Sequence, residues 1–456
     1  MQLTNNILEN NGGIFAGGIG LGQPYAHGNH NYNVRMANDR IMGNGGLTRS
    51  GGVGIFYGSN NYDVTGSIFC SNFGVEYGAG ISHWGLSPSG SIHDNRIYYN
   101  DAVDSGAGIA VQTELPVGAD CTSPDATLTT CRGNGSGAVN IDRNLIQGNF
   151  SGDDGGGIFV ADSFTQPVNI RNNMVVDNGA ADLGGAIMLD DAANARIINN
   201  SVANNVTTAS SENSAIDEPH AAGLAAEANE PLFQATLAAG ALHFSNPTAL
   251  FNNIFWNNDA MTLSQFGPGA TLVDQGFIDF EVHGTTNNTD TFTPRYSTLT
   301  NGQILGPDGT QRAVPGGQGN RIGEDPLFVT PFTLELTVSG SRLDPQAAAV
   351  TITGQDPPVG LGGDYHLQTT SPAVDRGVRC SGTPFPAPGN ALAPCTTTNR
   401  GIGAPAGLPS AANATGGGDY DSQYRPQRRT LRLLTPWDLG ADELPGIPVT
   451  LTPPLQ

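Results

Sequence analysis

Four carboxylates recur along the first half of the chain, each four residues after an asparagine that itself recurs about every 28 residues. They are Glu76, Asp104, Asp153 and Asp182. If the repeats stack at the spacing of paired β-strands, about 4.8 Å, these carboxylates form one line. Neighbouring charges then repel by about 3–4 kcal/mol at an effective dielectric constant of about 20. A bound Ca²⁺ would relieve this repulsion, so all four are candidate calcium ligands; the alternative is solvated turn carboxylates.

Asp153 and Asp154 are adjacent, and Asp182 follows one repeat later. Paired carboxyl groups can act as general acid and general base in glycoside hydrolysis, so these three are candidate catalytic residues. The pair resembles the paired aspartates of pectin hydrolases, but no His and Arg or Lys motif follows it in the order that those enzymes show. The arginines that could serve a lyase as cationic base fall at different positions of their repeats, and we expect them to pair with acidic groups: Arg143, Arg171 and Arg196.

Two aromatic residues, Phe56 and Trp84, occupy the same position in neighbouring repeats. Alternation along a strand predicts that both rings point outward. Exposed rings beside carboxylates are typical of sugar-binding surfaces, which makes Phe56, Trp84, Glu76 and Asp104 candidate ligand-binding residues. The alternative is that the rings pack beneath a loop.

The histidines show no metal-ligand spacing along the sequence, so we interpret them as structural. His83 falls at an inward position, and the others considered are His27, His30, His93 and His243.

The elements that would position these side chains are indicated by the repeat itself. An asparagine preceded three residues earlier by an apolar residue and five earlier by a small polar one occurs eight times: Asn10, Asn44, Asn72, Asn100, Asn149, Asn178, Asn205 and Asn258. Nine residues after it, an apolar residue follows Gly or Ala in six successive repeats: Ile19, Val53, Ile81, Ile109, Ile158 and Ile187. The seventh such position is assigned to Leu242, after an insertion.

Apolar and small residues alternate within each repeat, which indicates strands. Short strands that return after about 28 residues predict an all-β fold, a single-stranded right-handed parallel β-helix with loop insertions and an irregular C-terminal segment. The aliphatic residues would form an internal ladder, and the asparagines would form amide ladders at the turns. A leucine-rich-repeat horseshoe is the alternative, but it needs a helical half where this chain is rich in Gly.

The domain prediction divides the chain at residue 329. Residues 1–329 form the solenoid, with insertions near 112–137 and 206–238, and residues 330–456 form a C-terminal β and loop segment with a Pro-rich tail. The second insertion is expected to hold a short helix. Residues 331–354 alternate like a hairpin, and residues 380–418 resemble a loop or linker.

The composition is Gly-rich and acidic, with 63 glycines, 41 acidic residues, 19 basic residues and a net charge of −22. All basic residues are Arg. Such a surface repels nucleic acid, and no segment is apolar enough to insert into a membrane. We expect a monomer. Local cysteine pairs, Cys121 with Cys131 and Cys380 with Cys395, favour an oxidising compartment, and Cys70 is expected to be a buried thiol.

The chain begins with a motif that belongs inside a coil and shows no export signal. Since solenoids normally cap their first coil, we expect that upstream coils and the export signal are missing from this sequence.

The second half carries segments in a familiar order: Asn252–Asn258, Tyr296–Leu299, Asp325–Val329, Asp364–Leu367, Ser371–Gly377 and Asp438–Glu443. In this order they resemble the closing segments of secreted bacterial right-handed β-helix repeat proteins with the pectin-lyase-like fold. The resemblance covers about residues 240–443 and implies the fold and export. It indicates little about activity, because that fold hosts lyases, hydrolases, epimerases and non-catalytic adhesins.

The sequence thus favours an extracellular or cell-surface recognition or scaffold module that binds polysaccharide without catalysis. The alternative is a polysaccharide lyase or glycoside hydrolase that acts on acidic polysaccharide. Calcium is the one cofactor that the sequence suggests.

Overall fold

Each repeat folds as one coil of four short strands, and successive coils stack with their strands parallel. The structure, a computed structural model, describes residues 1–374 apart from 23, 25–30, 114–134, 212–213, 215–217, 266, 333, 341–347 and 353–362. Among these residues there are 41 strands and one short helix, α1 (Pro231–Gln234). The predicted all-β parallel solenoid is therefore confirmed.

Two of the four sheets of the solenoid contain parallel strands only. Sheet A consists of β1 (Gln2–Thr4), β5 (Arg35–Ala37), β9 (Asp63–Thr65), β13 (Gly90–His93), β17 (Val139–Asp142), β21 (Val168–Arg171), β25 (Ala195–Ile198) and β29 (Ala249–Phe251). Sheet B consists of β2 (Ile7–Glu9), β6 (Arg40–Met42), β10 (Ile68–Cys70), β14 (Arg96–Tyr98), β18 (Leu145–Gln147), β22 (Met174–Val176), β26 (Ser201–Ala203), β30 (Ile254–Trp256), β34 (Thr298–Leu299) and β37 (Arg321–Ile322).

The other two sheets each end in one antiparallel strand. Sheet C consists of β3 (Gly12–Gly13), β7 (Gly45–Gly46), β11 (Phe73–Gly74), β15 (Asp101–Ala102), β19 (Phe150–Ser151), β23 (Gly179–Ala180), β27 (Val206–Thr207), β31 (Asp259–Leu263) and antiparallel β32 (Leu272–Phe277). Sheet D consists of β4 (Ile19–Leu21), β8 (Val53–Phe56), β12 (Ile81–Trp84), β16 (Ile109–Gln112), β20 (Ile158–Ala161), β24 (Ile187–Asp190), β28 (Leu224–Glu227), β33 (Phe280–His283), β35 (Gln303–Leu305) and antiparallel β36 (Gln311–Ala313).

The core is a set of vertical ladders of apolar side chains inside the coils. The predicted ladder of sheet D is confirmed by its register, which runs Ile19, Val53, Ile81, Ile109, Ile158 and Ile187. The next member is Leu224, and Phe280 follows. The assignment of Leu242 to this ladder is wrong, because β28 lies within the predicted insertion and pairs directly with β24.

Amide ladders run along two edges of sheet B, as the repeat predicts. Asn100 Nδ2 donates to Asn149 Oδ1 over 2.9 Å, and Asn149 Nδ2 donates in turn to Asn178 Oδ1 over 2.9 Å. Each Oδ1 also accepts the backbone N–H of the preceding rung, as Asn149 does from Asn100 over 3.1 Å. The parallel ladder at the other edge includes Asn144 and Asn173.

In the first coil the predicted register is wrong by one residue. The ladder contains Asn11, whose side chain donates to Asn44, whereas Asn10 adopts a positive φ of 56°. Doublets such as Asn204–Asn205 show the reason: the first asparagine takes the left-handed conformation that Asn tolerates, and the second enters the ladder. Where both residues are Asn, the sequence pattern does not distinguish them.

Other segments agree with their predictions where the structure describes them. Helix α1 lies inside the second insertion. Strands β39 (Leu336–Gly340) and β40 (Ala348–Ile352) form the predicted antiparallel hairpin. Cys70 is buried as predicted, and its Sγ lies 3.4 Å from the Ser71 hydroxyl. The other cysteines, most of the first insertion and residues 380–418 lie outside the described residues, and the domain boundary at 329 stays a prediction.

A C-terminal strand pair packs on the outer side of sheet B. Strands β38 (Phe328–Thr330) and β41 (Asp364–Leu367) pair antiparallel, and Tyr365 packs among Met174, Val176 and Ala203. The Tyr365 hydroxyl lies 2.7 and 2.8 Å from the two carboxylate oxygens of Asp177, which also accepts a bond from Gln147. Burial raises the pKa of Asp177 to about 8, so this carboxyl is held in its neutral form.

Replacing Asp177 with asparagine should remove a pH dependence of stability. Because the folded pKa of Asp177 lies above its unfolded value, its contribution is complete below about pH 4 and is lost as pH rises through about 8. The free energy of unfolding of the native chain should therefore fall relative to D177N by about 1.4 kcal/mol per pH unit across that window. Asn also tolerates the φ of 55° at this position. Denaturant unfolding at a series of pH values measures this, and parallel pH profiles for both proteins would contradict it.

Candidate functional site

The polar residues of interest lie on the outer face of sheet D and on the turns that lead into it. Along each strand the first and third side chains point into the core, so the second and fourth point outward. The outward positions of β28 and β33 carry Glu227, Glu281 and His283, with Glu227 opposite His283 in register. This face therefore changes along the axis from small and aromatic side chains to ionisable ones.

The turns before the strands of sheet D align Asp104, Asp153 and Asp182, which we call the acidic row. Asp182 N–H donates to the carbonyl of Asp153 over 3.0 Å, so these two residues are stacked. Both neighbours, Asp182 and then Asp104, act electrostatically on Asp153. One carboxylate oxygen each from Asp153, Asp154 and Asp182 lies within 4.8 Å of the others. The structure thus brings the three candidate catalytic residues together.

Glu76, the fourth carboxylate of the predicted line, forms an ion pair with Arg49 from the preceding coil. Its charge is therefore balanced locally. As candidate calcium ligands, Asp153 and Asp182 converge, and Asp154, absent from the predicted ligand set, joins them. Three carboxylates that converge in this way could hold a hard cation such as Ca²⁺.

Burial and mutual repulsion act on the protonation of this group. Burial, followed by the charges of Asp182 and Asp104, raises the pKa of Asp153 to about 6. Burial and the charge of Asp153 raise the pKa of Asp154 well above its usual range, although Asp154 Oδ1 accepts the Leu183 N–H over 2.8 Å. Asp154 therefore holds a proton more readily than an ordinary carboxyl group does.

One coil further on, His220 lies between two carboxylates. Its Nε2 is 3.1 Å from Asp182 Oδ1, and its Nδ1 is 3.1 Å from Glu281 Oε1. Burial alone would lower the pKa of His220, but the hydrogen bond and charge of Glu281 outweigh it and raise that pKa to about 9. His220 thus supplies a positive charge beside the acidic row.

Glu281 joins His220 to a second histidine, His283. The Nδ1 of His283 lies 3.2 Å from the same Oε1, and Oε2 accepts the Ala221 N–H over 2.7 Å. Burial would raise the pKa of Glu281, but the hydrogen bonds from both imidazoles hold it at about 2. The sequence analysis did not identify this trio, because His220 enters from the second insertion and the other two from β33. The alternation of β33 was the one available signal, since it places Glu281 and His283 on the same face.

A second group of carboxylates follows the ends of the sheet D strands. Asp190, Asp162 and Asp191 interact electrostatically with Glu230, and Asp191 Oδ1 accepts the Glu230 N–H over 2.9 Å. Burial raises the pKa of Asp162 to about 6 and that of Asp191 to about 7. The sequence analysis did not predict this group.

The two predicted sugar-binding aromatic residues occupy equivalent positions, as expected, but their rings are not both exposed. Phe56 and Trp84 are opposite one another in β8 and β12. Phe56 is nevertheless only 1% exposed, and its ring lies over Gly54 of the same strand, where a Cβ would lie 2.5 Å from Phe56 Cζ. The prediction of an exposed ring is therefore wrong for Phe56.

Trp84 is half-buried beneath a cation. The guanidinium carbon of Arg49 lies 3.8 Å from the Trp84 ring centroid. The Tyr77 ring lies nearly parallel to the Phe159 ring at a centroid distance of 6.1 Å and is 5.7 Å from the Trp84 ring. Arg49 thus covers one face of the ring that was expected to stack on sugars, while Tyr77 extends the aromatic surface toward Asp104, which acts on its hydroxyl.

The arginines lie away from the acidic row. Arg143 and Arg171 both pair with Asp142 in sheet A, and Arg196 contacts Asn169. The expectation that they pair with acidic groups is confirmed for Arg143 and Arg171. His83 is buried as expected, with its ring bonded to Tyr62 and to backbone carbonyls.

In the described part of the chain, no helix has both the length and the apolar character that crossing a membrane requires. Comparison of the chain with protein-family models, with curated proteins and with solved structures returned no match.

Proposed function

We propose that the chain is a right-handed parallel β-helix of an extracellular or cell-surface protein, which binds polysaccharide along the outer face of sheet D. Crossovers between parallel strands of one sheet are right-handed in about 98% of cases, which supports this hand. The resemblance of residues 240–443 to secreted β-helix proteins supports the location.

The observation that carries the binding proposal is the continuous line of polar side chains from Asp104 to His283. It runs along the solenoid axis over five coils, a length of about 19 Å at the spacing of paired strands. A linear row of this kind suits a linear polymer. The partly exposed carboxylates of Asp104, Asp153 and Asp182 accept hydrogen bonds from sugar hydroxyls, so neutral chains should bind directly, whereas uronic acids would need a bridging cation.

Replacing Asp182 with asparagine should weaken glycan binding by about tenfold, the effect of losing one hydrogen bond to a charged group. Titration calorimetry with the best ligand from an array of neutral and uronic-acid glycans, with and without Ca²⁺, measures this. The matched control is Asp308→Asn, which changes a carboxylate on the turn between β35 and β36. If the native chain binds no glycan in either condition, the binding proposal fails.

Glycoside hydrolysis is the second candidate, and the protonation of Asp154 favours it. A carboxyl group whose pKa is raised well above its usual range can protonate a leaving oxygen, while a neighbouring carboxylate acts as base or nucleophile. Asp154→Asn should then reduce the release of reducing ends about 10²–10⁴-fold while glycan binding persists. Unchanged release in D154N would exclude this site from hydrolysis.

A further inference from the structure

We propose that His220, Glu281 and His283 form a binding site for one divalent transition-metal ion, with Zn²⁺ as the best-fitting candidate. Two imidazoles and one carboxylate, with a fourth position left for water, are a ligand set that zinc uses in proteins. The three ligand atoms lie within 4.8 Å of one another. This inference does not depend on the proposed polysaccharide binding.

The distances fit a tetrahedral ion. Ligands about 2.0–2.2 Å from zinc are separated from each other by about 3.3–3.5 Å in a tetrahedron. Glu281 Oε1 lies 3.1 Å from His220 Nδ1 and 3.2 Å from His283 Nδ1, so these two separations are within a few tenths of an ångström of the tetrahedral value, and the ligand atoms of the two histidines lie within 4.8 Å of each other. The two imidazole rings are inclined at 73° with centroids 5.6 Å apart, and the Nδ1 atoms of both rings face the same oxygen, Glu281 Oε1.

The surroundings resemble the outer shell of a metal site. Metal-bound histidines commonly donate their other ring N–H to a carboxylate, and His220 Nε2 is 3.1 Å from Asp182 Oδ1. Asp182 is itself oriented by the Ser214 hydroxyl at 3.0 Å. The Ala221 N–H holds Glu281 Oε2 and leaves Oε1 to the metal.

Access to the site is provided from the side of His283. The side chains of His220 and Glu281 are 4% and 3% exposed, whereas that of His283 is 37% exposed. An ion could therefore enter and retain a water ligand there. The two imidazole nitrogens also give this site a different metal preference from the group of Asp153, Asp154 and Asp182. That group offers oxygen ligands only, which favour Ca²⁺.

The proposal is tested by titrating the metal-free full chain with Zn²⁺ and Co²⁺. We expect one equivalent of Zn²⁺ to bind, a rise in melting temperature with Zn²⁺ concentration, and the visible absorption of tetrahedral Co²⁺. His283→Gln should abolish the absorption, and because His283 is the most exposed of the three ligands, this substitution disturbs the packing least. Asp182→Asn should weaken Zn²⁺ binding about 10–100-fold through the outer shell.

The matched control is His243→Gln, which replaces an exposed histidine beside Asp290 and should leave Zn²⁺ binding unchanged. Asp154→Asn should also leave it unchanged. Absence of stoichiometric binding would show that the trio is an ion-pair network only and would overturn the proposal. So would binding that survives in H283Q but is lost in D154N, because the ion would then lie on the three aspartates.

Discussion

Replacing Gly156 with alanine should destabilise the solenoid by about 3 kcal/mol or more, at the upper end of overpacking effects. A Cβ at Gly156 would lie 2.0 Å from the carbonyl oxygen of Gly179 and 2.7 Å from that of Gly185, both in the next coil. Both obstacles are backbone atoms of paired coils, so no side-chain rotation can make room. The neighbouring coils must separate or shift, which also disturbs the β19–β23 and β20–β24 pairing.

Hydrogen exchange resolved by peptide should detect this change as lost protection in residues 150–190, with less effect in the first coils, because solenoid repeats contact mainly their neighbours. The control is Gly45→Ala in strand β7, where a Cβ would meet nothing within 4 Å. Equal melting temperatures for G156A and G45A would contradict the close backbone packing.

Replacing Asn149 with alanine should destabilise the protein by about 3–5 kcal/mol. Asn149 is fully buried, and its Oδ1 accepts both the backbone N–H and the Nδ2 of Asn100 at 3.1 and 2.9 Å. Its Nδ2 donates to the carbonyl of Ile97 at 3.0 Å as well as to the next rung. The substitution removes a partner from four buried groups, which are the N–H and Nδ2 of Asn100, the Ile97 carbonyl and Asn178 Oδ1. Asn100 Nδ2 and Asn178 Oδ1 each keep a second bond, and a buried group left unsatisfied costs about 1–3 kcal/mol.

Asn288→Ala is the control, because this exposed residue lies in a loop outside the ladder. Denaturant unfolding of both variants measures the difference, and hydrogen exchange should show the loss centred on the coils of β14, β18 and β22. A value for N149A within about 0.5 kcal/mol of N288A would mean that the amide ladder contributes little beyond the stacking of the strands.

The ladders were predictable because each coil must meet the same neighbours above and below. An inward Ile in one coil contacts the residue at the equivalent position of the next coil. Apolar residues are therefore needed at an interval of one coil length. The two errors have the same origin. Asn10 was chosen in place of Asn11 because the pattern fits either asparagine of a doublet. Leu242 was chosen in place of Leu224 because an insertion changes the spacing between repeats. The repeat therefore predicts side-chain register best where the coils are regular.

The candidate site was predictable only in part. The acidic row follows the repeat, so Asp104, Asp153 and Asp182 could be aligned from spacing alone. Contacts between positions that are not equivalent in the repeat could not be predicted from spacing. Examples are the ion pair of Arg49 with Glu76 and the ring of Phe56, which fills the space beside Gly54. The position of His220 could not be predicted either, because this residue lies in an insertion of irregular length.

The amino-acid sequence by itself determined the strand periodicity, the coil length, the inward ladders and the amide ladders, because these depend on residue types that recur at one interval. Only the tertiary structure decided which ionisable groups meet. Asp182, His220 and Glu281 come from three successive coils, and Tyr365 reaches Asp177 across 188 positions of the chain. Electrostatic interactions depend on distance in space and on burial, and neither follows from position in a repeat once loops and insertions supply the partners.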